Sequence, residues 1–315
     1  MQVIRDNPGR KILQSSVVTI GNFDGMHLGH QALIQRCKLL AAANGTDTGR
    51  PIAVVTFEPL PGAWFRPDAA PARLTSVRQK LATLGKEGID LVWMMRFNQA
   101  LAGMSAEAFI QSVLVDVLDP GDVVVGEDFH YGKARLGNTE SLRRAGEKHG
   151  FGVNTVAAIE VDGKRISSSN IRKSLAMGDM SQASRLLGRP YRMQGRVIRG
   201  RQLGRTLGYP TANMSLPTSP SPLQGIFAVR ARWAESGGGD SGWYGGVASL
   251  GTRPAVGGEG FLIEVHLFDF DADLYGRRME VEYVKKLRNE EHFEDIDDLV
   301  LQMQEDERLA RECLA

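Results

Sequence analysis

The chain has 315 residues, of which 42% are hydrophobic and 24% charged, and its formal net charge is +1. This composition is typical of a globular protein large enough for two domains, and it gives no support to broad nucleic-acid binding. Two cysteines, Cys37 and Cys313, exclude a disulfide framework. No apolar run approaches the ~20 residues of a membrane span, and the N-terminus lacks a signal-peptide core. We therefore expect a cytoplasmic protein without membrane or nucleic-acid partners.

A glycine-rich corner follows the first predicted strand, the β-branched run 16–20. The pattern of 31–44 predicts a helix, with Gly45 as its C-cap. Between them lie three glycines and two histidines, His27 and His30. Glycines let the backbone approach a ligand, and a helix N-terminus presents unpaired N–H groups. The corner therefore predicts a phosphate site.

Apolar strands then alternate with helical patterns as far as residue 157. This alternation predicts a parallel sheet with right-handed crossovers. The five predicted strands are 16–20, 52–57, 90–97, 122–126 and 151–157, and the predicted helices include 73–88, 105–117 and 139–148, the last capped by Thr139. Ligands of such sheets bind at the carboxyl ends of the strands. The loops 21–30, 58–65 and 126–138 leave those ends and should converge on one crevice.

Two further segments of this half have open interpretations. The loop 58–65 contains two prolines, Trp64 and Phe65, which suit either a stiff pocket wall or packing for stability. Serines at 167–169 precede a short helix and are ordinary caps. Together with Arg172 they also describe a phosphate-binding motif, because arginine supplies a planar charged fork.

The pattern changes near residue 186. Short alternating segments separated by Gly- and Pro-rich turns predict a small closed β-barrel. The predicted strands are 193–198, 226–233, 243–249, 261–268 and 279–284, and an amphipathic helix at about 293–310 should pack on the barrel. We place the domain boundary here, which gives domains 1–185 and 186–315.

Two stretches of the barrel domain carry candidate chemistry. The glycine-spaced, basic stretch 200–213 ends in Thr211 and Asn213, whose uncharged oxygens suit Mg²⁺, although a plain surface loop has the same composition. Glu264 stands between apolar neighbours in a strand, where alternation puts it opposite Ile263 and Val265. A barrel exterior would explain that position without any function.

These motifs together resemble the bacterial bifunctional riboflavin kinase/FAD synthetase family. The HxGH nucleotidylyltransferase superfamily carries a corner like 21–30 and a serine/arginine motif like 166–172. The stretch 208–213, the strand of Glu264 and the run 273–276 add a domain that other members of that superfamily lack. The resemblance covers essentially the whole chain. It implies a Rossmann-like nucleotidylyltransferase domain, followed by a six-stranded riboflavin-kinase-like barrel with a C-terminal helix.

The resemblance implies two reactions, phosphorylation of riboflavin to FMN and adenylylation of FMN to FAD, with Mg²⁺ and with ATP as co-substrate. It implies catalytic roles for Glu264, His27, His30 and Arg172. The implied ATP-binding residues of the adenylyltransferase are Gly21, Asn22, Phe23, Asp24, Gly25, His27, His30, Ser167, Ser168 and Arg172. The implied flavin-binding residues are Pro59, Pro61, Phe65, Asp128 and Phe129. The implied kinase ATP and metal residues are Gly204, Gly208, Pro210, Thr211 and Asn213, with Thr211 and Asn213 on the metal. We expect a monomer or a weak homo-oligomer.

The sequence departs from the family pattern at several positions. His130 and Tyr131 stand where the family commonly has Arg-Phe, so a fixed positive charge is lost. Ser249 and Ala255 replace larger polar residues and put kinase affinity in question. Three alternatives remain open: another nucleotidylyltransferase, a non-enzymatic flavin-binding protein, and an adenylyltransferase that has lost its kinase activity.

Overall fold

The protein is seen in a computed structural model that describes residues 1–43, 49–200, 204, 207–216, 221–234, 239–254 and 261–315. The chain forms two compact units. The first comprises Met1–Pro71 and Val77–Ile166, and the second comprises Ala72–Ser76 and Ser167–Ala315.

The first unit alternates strands with helices. In chain order these are β1 (Gln2–Ile4), β2 (Ser16–Ile20), α1 (Leu28–Ala42), β3 (Ile52–Glu58), α2 (Pro61–Phe65), α3 (Val77–Lys86), β4 (Leu91–Arg96), α4 (Gln99–Gly103), α5 (Ala106–Phe109), β5 (Pro120–Gly126), β6 (His130–Tyr131), β7 (Gly137–Asn138), α6 (Thr139–His149), β8 (Gly152–Val156), β9 (Glu160–Val161) and β10 (Lys164–Arg165). Helix α5 continues directly into a π-helical segment, Ile110–Leu118.

Six of these strands form one sheet in the order β1-β4-β3-β2-β5-β8, and every neighbouring pair is parallel. The strand order reverses between β2 and β5. In open parallel sheets the ligand crevice lies at such a reversal, outside the carboxyl ends of the strands. The glycine-rich corner leaves β2 at this point.

The sheet is buried on both faces because its strands carry apolar side chains on both sides. On one face Val18 and Val123 pack with Leu114 of the π-helical segment and Leu142 of α6. On the other face Val17 and Val54 pack with Ile34 of α1 and Leu84 of α3. This two-sided burial is the reason why the strands read as continuous β-branched runs rather than alternating patterns.

The second unit begins with two short helices and continues as a barrel. Its elements are α7 (Ser168–Ala176), α8 (Met180–Leu187), β11 (Arg192–Ile198), β12 (Thr211–Leu216), β13 (Gly225–Trp233), β14 (Tyr244–Pro254), β15 (Phe261–Leu267), β16 (Arg278–Arg288) and α9 (Ile296–Leu314). Six antiparallel strands close into a barrel in the order β11-β12-β15-β14-β13-β16. Helix α9 contacts β13, β14 and β16. A buried ion pair between Arg288 and Asp306, at 2.8 Å, fixes this helix to β16.

The architecture confirms the predicted fold class, but several boundaries differ. The lead-in to the first predicted strand contains β1, which pairs with β4; three residues are too few to show a pattern. Helix α1 begins at Leu28, three residues before the predicted start, and Gly45 lies outside the described residues. Asn138, not Thr139, is the N-cap of α6: its side chain accepts a hydrogen bond from the Ser141 N–H.

The largest correction concerns β12. The predicted strands did not include Thr211–Leu216, and Thr211 and Asn213 were placed at the end of the glycine-spaced stretch 200–213. The segment is the sixth strand of the barrel and pairs with β11 and β15. Its polar and apolar residues alternate, and Met214 is fully buried. The candidate metal ligands Thr211 and Asn213 therefore stand on a paired strand.

Candidate active sites

The corner after β2 has an unusually tight backbone. Phe23 and Met26 adopt positive φ angles of 49° and 45°, and Gly25 between them has a φ of 87°. Positive φ is costly for residues with a side chain, so surrounding contacts must hold this shape. Gly21 leaves little room for a side chain, because an added Cβ would lie 3.2 Å from the Phe23 ring, which would have to shift slightly.

The corner leads directly into the N-terminus of α1. His27 is the N-cap residue, and its ring Nδ1 accepts a hydrogen bond from the His30 N–H at 3.3 Å. The helix then runs for 15 residues. Its free N–H groups and dipole form a favourable environment for an anion beside the corner.

The two histidines of the motif lie side by side. Their rings stack with centroids 3.6 Å apart and 15° between the planes, and the Phe23 ring lies 5.0 Å from His30. Burial holds the pKa of His30 well below its ordinary value, with further lowering by His27 and Lys80. His30 is therefore a neutral imidazole at physiological pH.

Side chains outside the corner occupy two of its carbonyl groups. The Asn22 carbonyl accepts from the Thr56 hydroxyl at 3.1 Å and from Lys80 Nζ at 2.8 Å. The Met26 carbonyl accepts from Gln31 Nε2 at 2.9 Å. In a trans peptide the carbonyl and the N–H of the following residue point in opposite directions. The N–H of Phe23 therefore points away from Thr56 and Lys80, and the N–H of His27 points away from the Gln31 side chain. The sequence predictions did not include Thr56 or Lys80.

An aromatic cluster stands at the carboxyl ends of β3 and β4. The rings of Trp64 and Phe65 each lie 5.6 Å from Phe97, in edge-to-face contact. Phe65 is 61% exposed, so it presents a free aromatic face beside Pro59 and Pro61. The predicted loop is in part the short helix α2. Phe97 was missed, although an aromatic residue directly after a parallel strand is a usable signal.

The loop after β5 contains the other two predicted flavin residues. Phe129 stacks on Tyr131 with centroids 5.5 Å apart, and it packs against the core. Asp128 is exposed and forms an ion pair with Arg165. The departure residue His130 is exposed, and its Nδ1 lies 2.8 Å from the Asp128 carbonyl. The loop leaves the strand that adjoins β2 in the sheet.

The serine/arginine motif belongs to the second compact unit. Ser167 is the N-cap of α7, and its side chain accepts from the Asn170 N–H at 3.2 Å. Arg172 lies one turn into the helix, and its Nε donates to the Ala72 carbonyl. Ser167 is therefore an ordinary helix cap. A role of Ser168 and Arg172 toward the corner stays a prediction.

The candidate kinase residues line up across three barrel strands. Asn213 of β12 and Ser249 of β14 are the register partners of Glu264 on the central strand β15. Thr211 pairs likewise with His266. Asn213 is 5% exposed, whereas Glu264 is exposed and Ile263 and Val265 are buried. Glu264 thus faces the outside of the barrel, in a row with the amide of Asn213 and the hydroxyl of Ser249.

Glycines shape the approach to this row. An added Cβ on Gly200 would lie 2.4 Å from Asn213 Nδ2, and one on Gly204 would lie 2.3 Å from the Tyr209 carbonyl oxygen. Gly208 has a φ of 81°. His266 Nδ1 lies 2.9 Å from the Pro210 carbonyl oxygen and holds the start of β12 against β15. Residues 201–203 and 205–206 of the predicted basic stretch lie outside the described residues, as does Ala255.

Two clefts meet at Thr211. The larger, of about 520 Å³, is lined by the ends of β12 and β15 and by the segment from Phe270 to Tyr275. The smaller, of about 100 Å³, contains Glu264 and Ser249 and is bordered by Glu307 of α9. The larger cleft is within the range of small-molecule sites, whereas the smaller can admit only part of a ligand.

Comparisons with known families agree with this division of the chain. A family model described as FAD synthetase matches residues 9–170, and one described as riboflavin kinase matches residues 187–314. The two matches define a two-domain transferase of flavin nucleotides.

The curated relatives are similar over nearly their whole length. A protein named bifunctional riboflavin kinase/FMN adenylyltransferase from Pseudomonas fluorescens is 44% identical over 95% of this chain and 93% of its own length. Proteins of the same name from Haemophilus influenzae and Escherichia coli K12 are 41% and 42% identical. The Haemophilus match covers 99% of this chain and 98% of the relative, and the Escherichia match covers 95% and 93%. The chain belongs to the bifunctional riboflavin kinase/FMN adenylyltransferase family.

One solved structure is similar over 98% of both chains, with a TM-score of 0.80 and 28% identity. It is described as a macrolide-efflux protein from Streptococcus pneumoniae. That description concerns the other protein. Among the described helices of the present chain, none is long and apolar enough to cross a membrane.

The family membership confirms the resemblance and the pair of enzymatic activities, riboflavin kinase and FMN adenylyltransferase. It argues against all three alternatives: another nucleotidylyltransferase, a non-enzymatic flavin-binding protein, and an adenylyltransferase that has lost its kinase activity. The roles of individual residues, the domain boundary at 185 and the metal stay predictions.

Proposed function

We propose that the corner at Gly21–His30 is the place where ATP is held for adenylylation of FMN. The observation that best supports this proposal is that the carbonyl groups of Asn22 and Met26, beside the N-terminus of α1, are both held by hydrogen bonds from side chains. These contacts fix the orientation of two peptide units of the corner, and a triphosphate would be bound beside them at the helix N-terminus.

The chemistry of this step requires no strong base. A phosphate oxygen of FMN attacks the α-phosphorus of ATP, the bond to the β-phosphate oxygen breaks, and pyrophosphate leaves. The nucleophile is already an anion, so the site needs only donors that stabilise developing negative charge. Gly21, Asn22, Phe23, Asp24 and Gly25 supply the backbone of the corner. His27 and His30 are the side-chain donors of the corner in this proposal. Roles of Ser167, Ser168 and Arg172 in ATP binding, which the family resemblance implies, are the matching expectation for the second unit.

The flavin of the adenylyl acceptor would rest against the aromatic cluster. Phe65 offers an exposed ring at the carboxyl edge of the sheet, and Phe97 supports it from the neighbouring strand. Pro59 and Pro61 stiffen that wall. Asp128 and Phe129 leave β5, on the other side of β2, and would form the second wall.

The barrel would transfer the γ-phosphate of ATP to the terminal hydroxyl of riboflavin. Here the nucleophile is a neutral alcohol, so its proton must be accepted as the new P–O bond forms and ADP leaves. Glu264 is the carboxylate available in the row, next to Asn213 and Ser249. The small volume around it fits the end of a hydroxylated side chain rather than a ring system.

The residues of β12 fit a magnesium ion shared with ATP phosphates. Thr211 and Asn213 lie two residues apart on one strand, and Asn213 has Glu264 as its register partner. Mg²⁺ takes oxygen ligands and usually keeps several waters and phosphate oxygens. When bound, the ion would neutralise charge on the β- and γ-phosphates. Gly204, Gly208 and Pro210 shape the backbone that precedes these ligands.

A time course on the whole chain tests the function. The protein is incubated with riboflavin, ATP and Mg²⁺, and the flavins are separated; we expect FMN first and then FAD. His27→Ala should abolish FAD formation while FMN still accumulates. Glu264→Gln should stop FMN formation but spare FAD formation from supplied FMN. Loss of both activities in either folded variant would contradict two separate sites.

The predicted cytoplasmic location and the monomer or weak homo-oligomer remain part of this proposal. Substrates that are soluble cellular metabolites support the location. Size-exclusion chromatography with light scattering at several concentrations measures the oligomeric state, and a tight oligomer would contradict the expectation.

A further inference from the structure

Lys80 is a lysine in an unusual position. It lies in α3, and only 1% of its surface is exposed. Its ammonium is 2.8 Å from the Asn22 carbonyl oxygen and 3.3 Å from the Thr56 hydroxyl. A buried ammonium is costly unless hydrogen bonds stabilise it, so this placement calls for an explanation beyond packing.

The Lys80 contacts form a closed triangle behind the corner. The Thr56 hydroxyl donates to the Asn22 carbonyl at 3.1 Å and therefore accepts from the lysine. Each donor strengthens the next in such a chain of hydrogen bonds. The triangle joins three separate parts of the fold: the corner, the carboxyl end of β3 and the helix α3.

The anchored peptide is the one that enters the strained part of the corner. The Asn22 carbonyl belongs to the same peptide unit as the N–H of Phe23, whose φ is 49°. Because the two groups point in opposite directions, a carbonyl fixed on Lys80 directs that N–H away from the lysine. Without the anchor, the peptide would be free to relax toward a less costly conformation.

We propose that Lys80 is a positioning residue for adenylyl transfer, which fixes the peptide of Asn22 and Phe23 and places a positive charge behind the nucleotide phosphates. It acts through the corner and need not touch the substrate. A fixed charge in a water-poor site is worth more than one in solvent, and it requires no rearrangement during the reaction.

The electrostatics of His30 are consistent with this role. Burial lowers the pKa of His30 most, and electrostatic interactions with His27 and Lys80 lower it further. The lysine therefore also favours the neutral, hydrogen-bonding form of the stacked histidine.

Two substitutions test the proposal in the full-length protein. Lys80→Met removes the ammonium, and Lys80→Gln removes the charge but keeps one amide donor of similar length. We expect kcat for FAD formation to fall by roughly tenfold to a hundredfold in Lys80→Met, and less in Lys80→Gln, while KM for FMN changes by less than about twofold. Lys86→Met, at the exposed end of the same helix, is the matched control.

The riboflavin kinase activity of the same molecules reports on the integrity of the preparation and should be unchanged. A folded Lys80→Met variant with kcat within about twofold of the starting protein would overturn the proposal. Failure of both variants to fold, measured by circular dichroism, would make Lys80 a structural residue and would overturn it as well. The inference rests on the adenylyl-transfer role of the corner. That role fails separately, if the unaltered protein makes no FAD from FMN and ATP.

Discussion

Gly200 allows a sharp test of the proposed kinase site. Replacing it with alanine would place a Cβ 2.4 Å from Nδ2 and 2.5 Å from Cγ of Asn213. Real Cβ atoms essentially never come closer than 3.0 Å, so one of the two groups must move by about 0.6 Å. Asn213 is 5% exposed and stands on a strand paired on both sides, so its amide has little space in which to move.

The magnitude follows from the sensitivity of phosphoryl transfer to position. A displacement approaching 1 Å costs about a hundredfold in rate, which corresponds to about 2.7 kcal/mol of transition-state stabilisation. We therefore expect Gly200→Ala to lower kcat/KM for riboflavin phosphorylation by that order. The assay is FMN formation from riboflavin and ATP, followed by chromatography. FAD formation from supplied FMN should not change.

Gly242 provides the matched control in the same unit. An added Cβ at this position meets no atom within 4 Å, so Gly242→Ala should retain both activities. Kinase activity of Gly200→Ala within about twofold of the starting protein would refute the reasoning. That result would mean either that Asn213 is not a metal ligand, or that the backbone at residue 200 shifts and relieves the contact without any loss of activity.

Three further predictions concern stability, thiols and the domain boundary. Arg288→Met should destabilise the barrel unit by about 3 kcal/mol in urea unfolding, because it leaves the buried Asp306 carboxylate without its cation. Arg308→Met, which removes an exposed ion pair, is the control and should leave the unfolding midpoint nearly unchanged. Burial raises the pKa of Cys37 to about 12, so this thiol should stay unmodified by Ellman's reagent at pH 8 until the protein is unfolded, and rapid labelling in the Cys313→Ser variant would contradict this. A fragment 186–315 should phosphorylate riboflavin. A longer fragment, 167–315, should have a higher melting temperature than the shorter one, because it keeps α8. Equal melting temperatures of the two fragments would show that α8 contributes nothing to the stability of the barrel.

The last of these expectations comes from the contacts of α8. This helix packs on β16 and buries Met180, Ala183, Leu186 and Leu187. Gly178, just before it, lies so close to Lys286 that an added Cβ would be 2.5 Å from that side chain. A cut at 186 removes Met180, Ala183 and most of α8 from the barrel and leaves only Leu186 and Leu187 of this surface. The boundary that composition suggests need not coincide with the boundary of best stability.

Much of the fold was predictable because local pattern and tertiary environment agree. The β-branched strands of the parallel sheet, the Gly150 end of α6 and the Ser105 cap of α5 follow from side-chain type alone. The strand Thr211–Leu216 is not among the strands predicted from the pattern, because Gly208 and Pro210 directly before it are typical of a turn. Its alternation of polar and apolar residues was nevertheless present in the sequence.

The site was predictable only where its residues are consecutive. The corner and its stacked histidines follow one another in the chain, so spacing brings them together. Lys80 and Thr56 meet Asn22 across 58 and 34 residues, and no local pattern marks a lysine of an amphipathic helix as buried. Glu264 and Ser249 are neighbours across two strands only because β14 and β15 pair in one particular register.

The N-cap of α1 also determines where a proton sits. Because Nδ1 of His27 accepts the His30 N–H, the neutral imidazole must carry its hydrogen on Nε2. That tautomer offers an N–H donor at the far side of the ring without any need for protonation. The helix cap that begins α1 therefore also fixes the tautomer of the histidine and leaves its N–H donor on the side of the ring away from the His30 N–H.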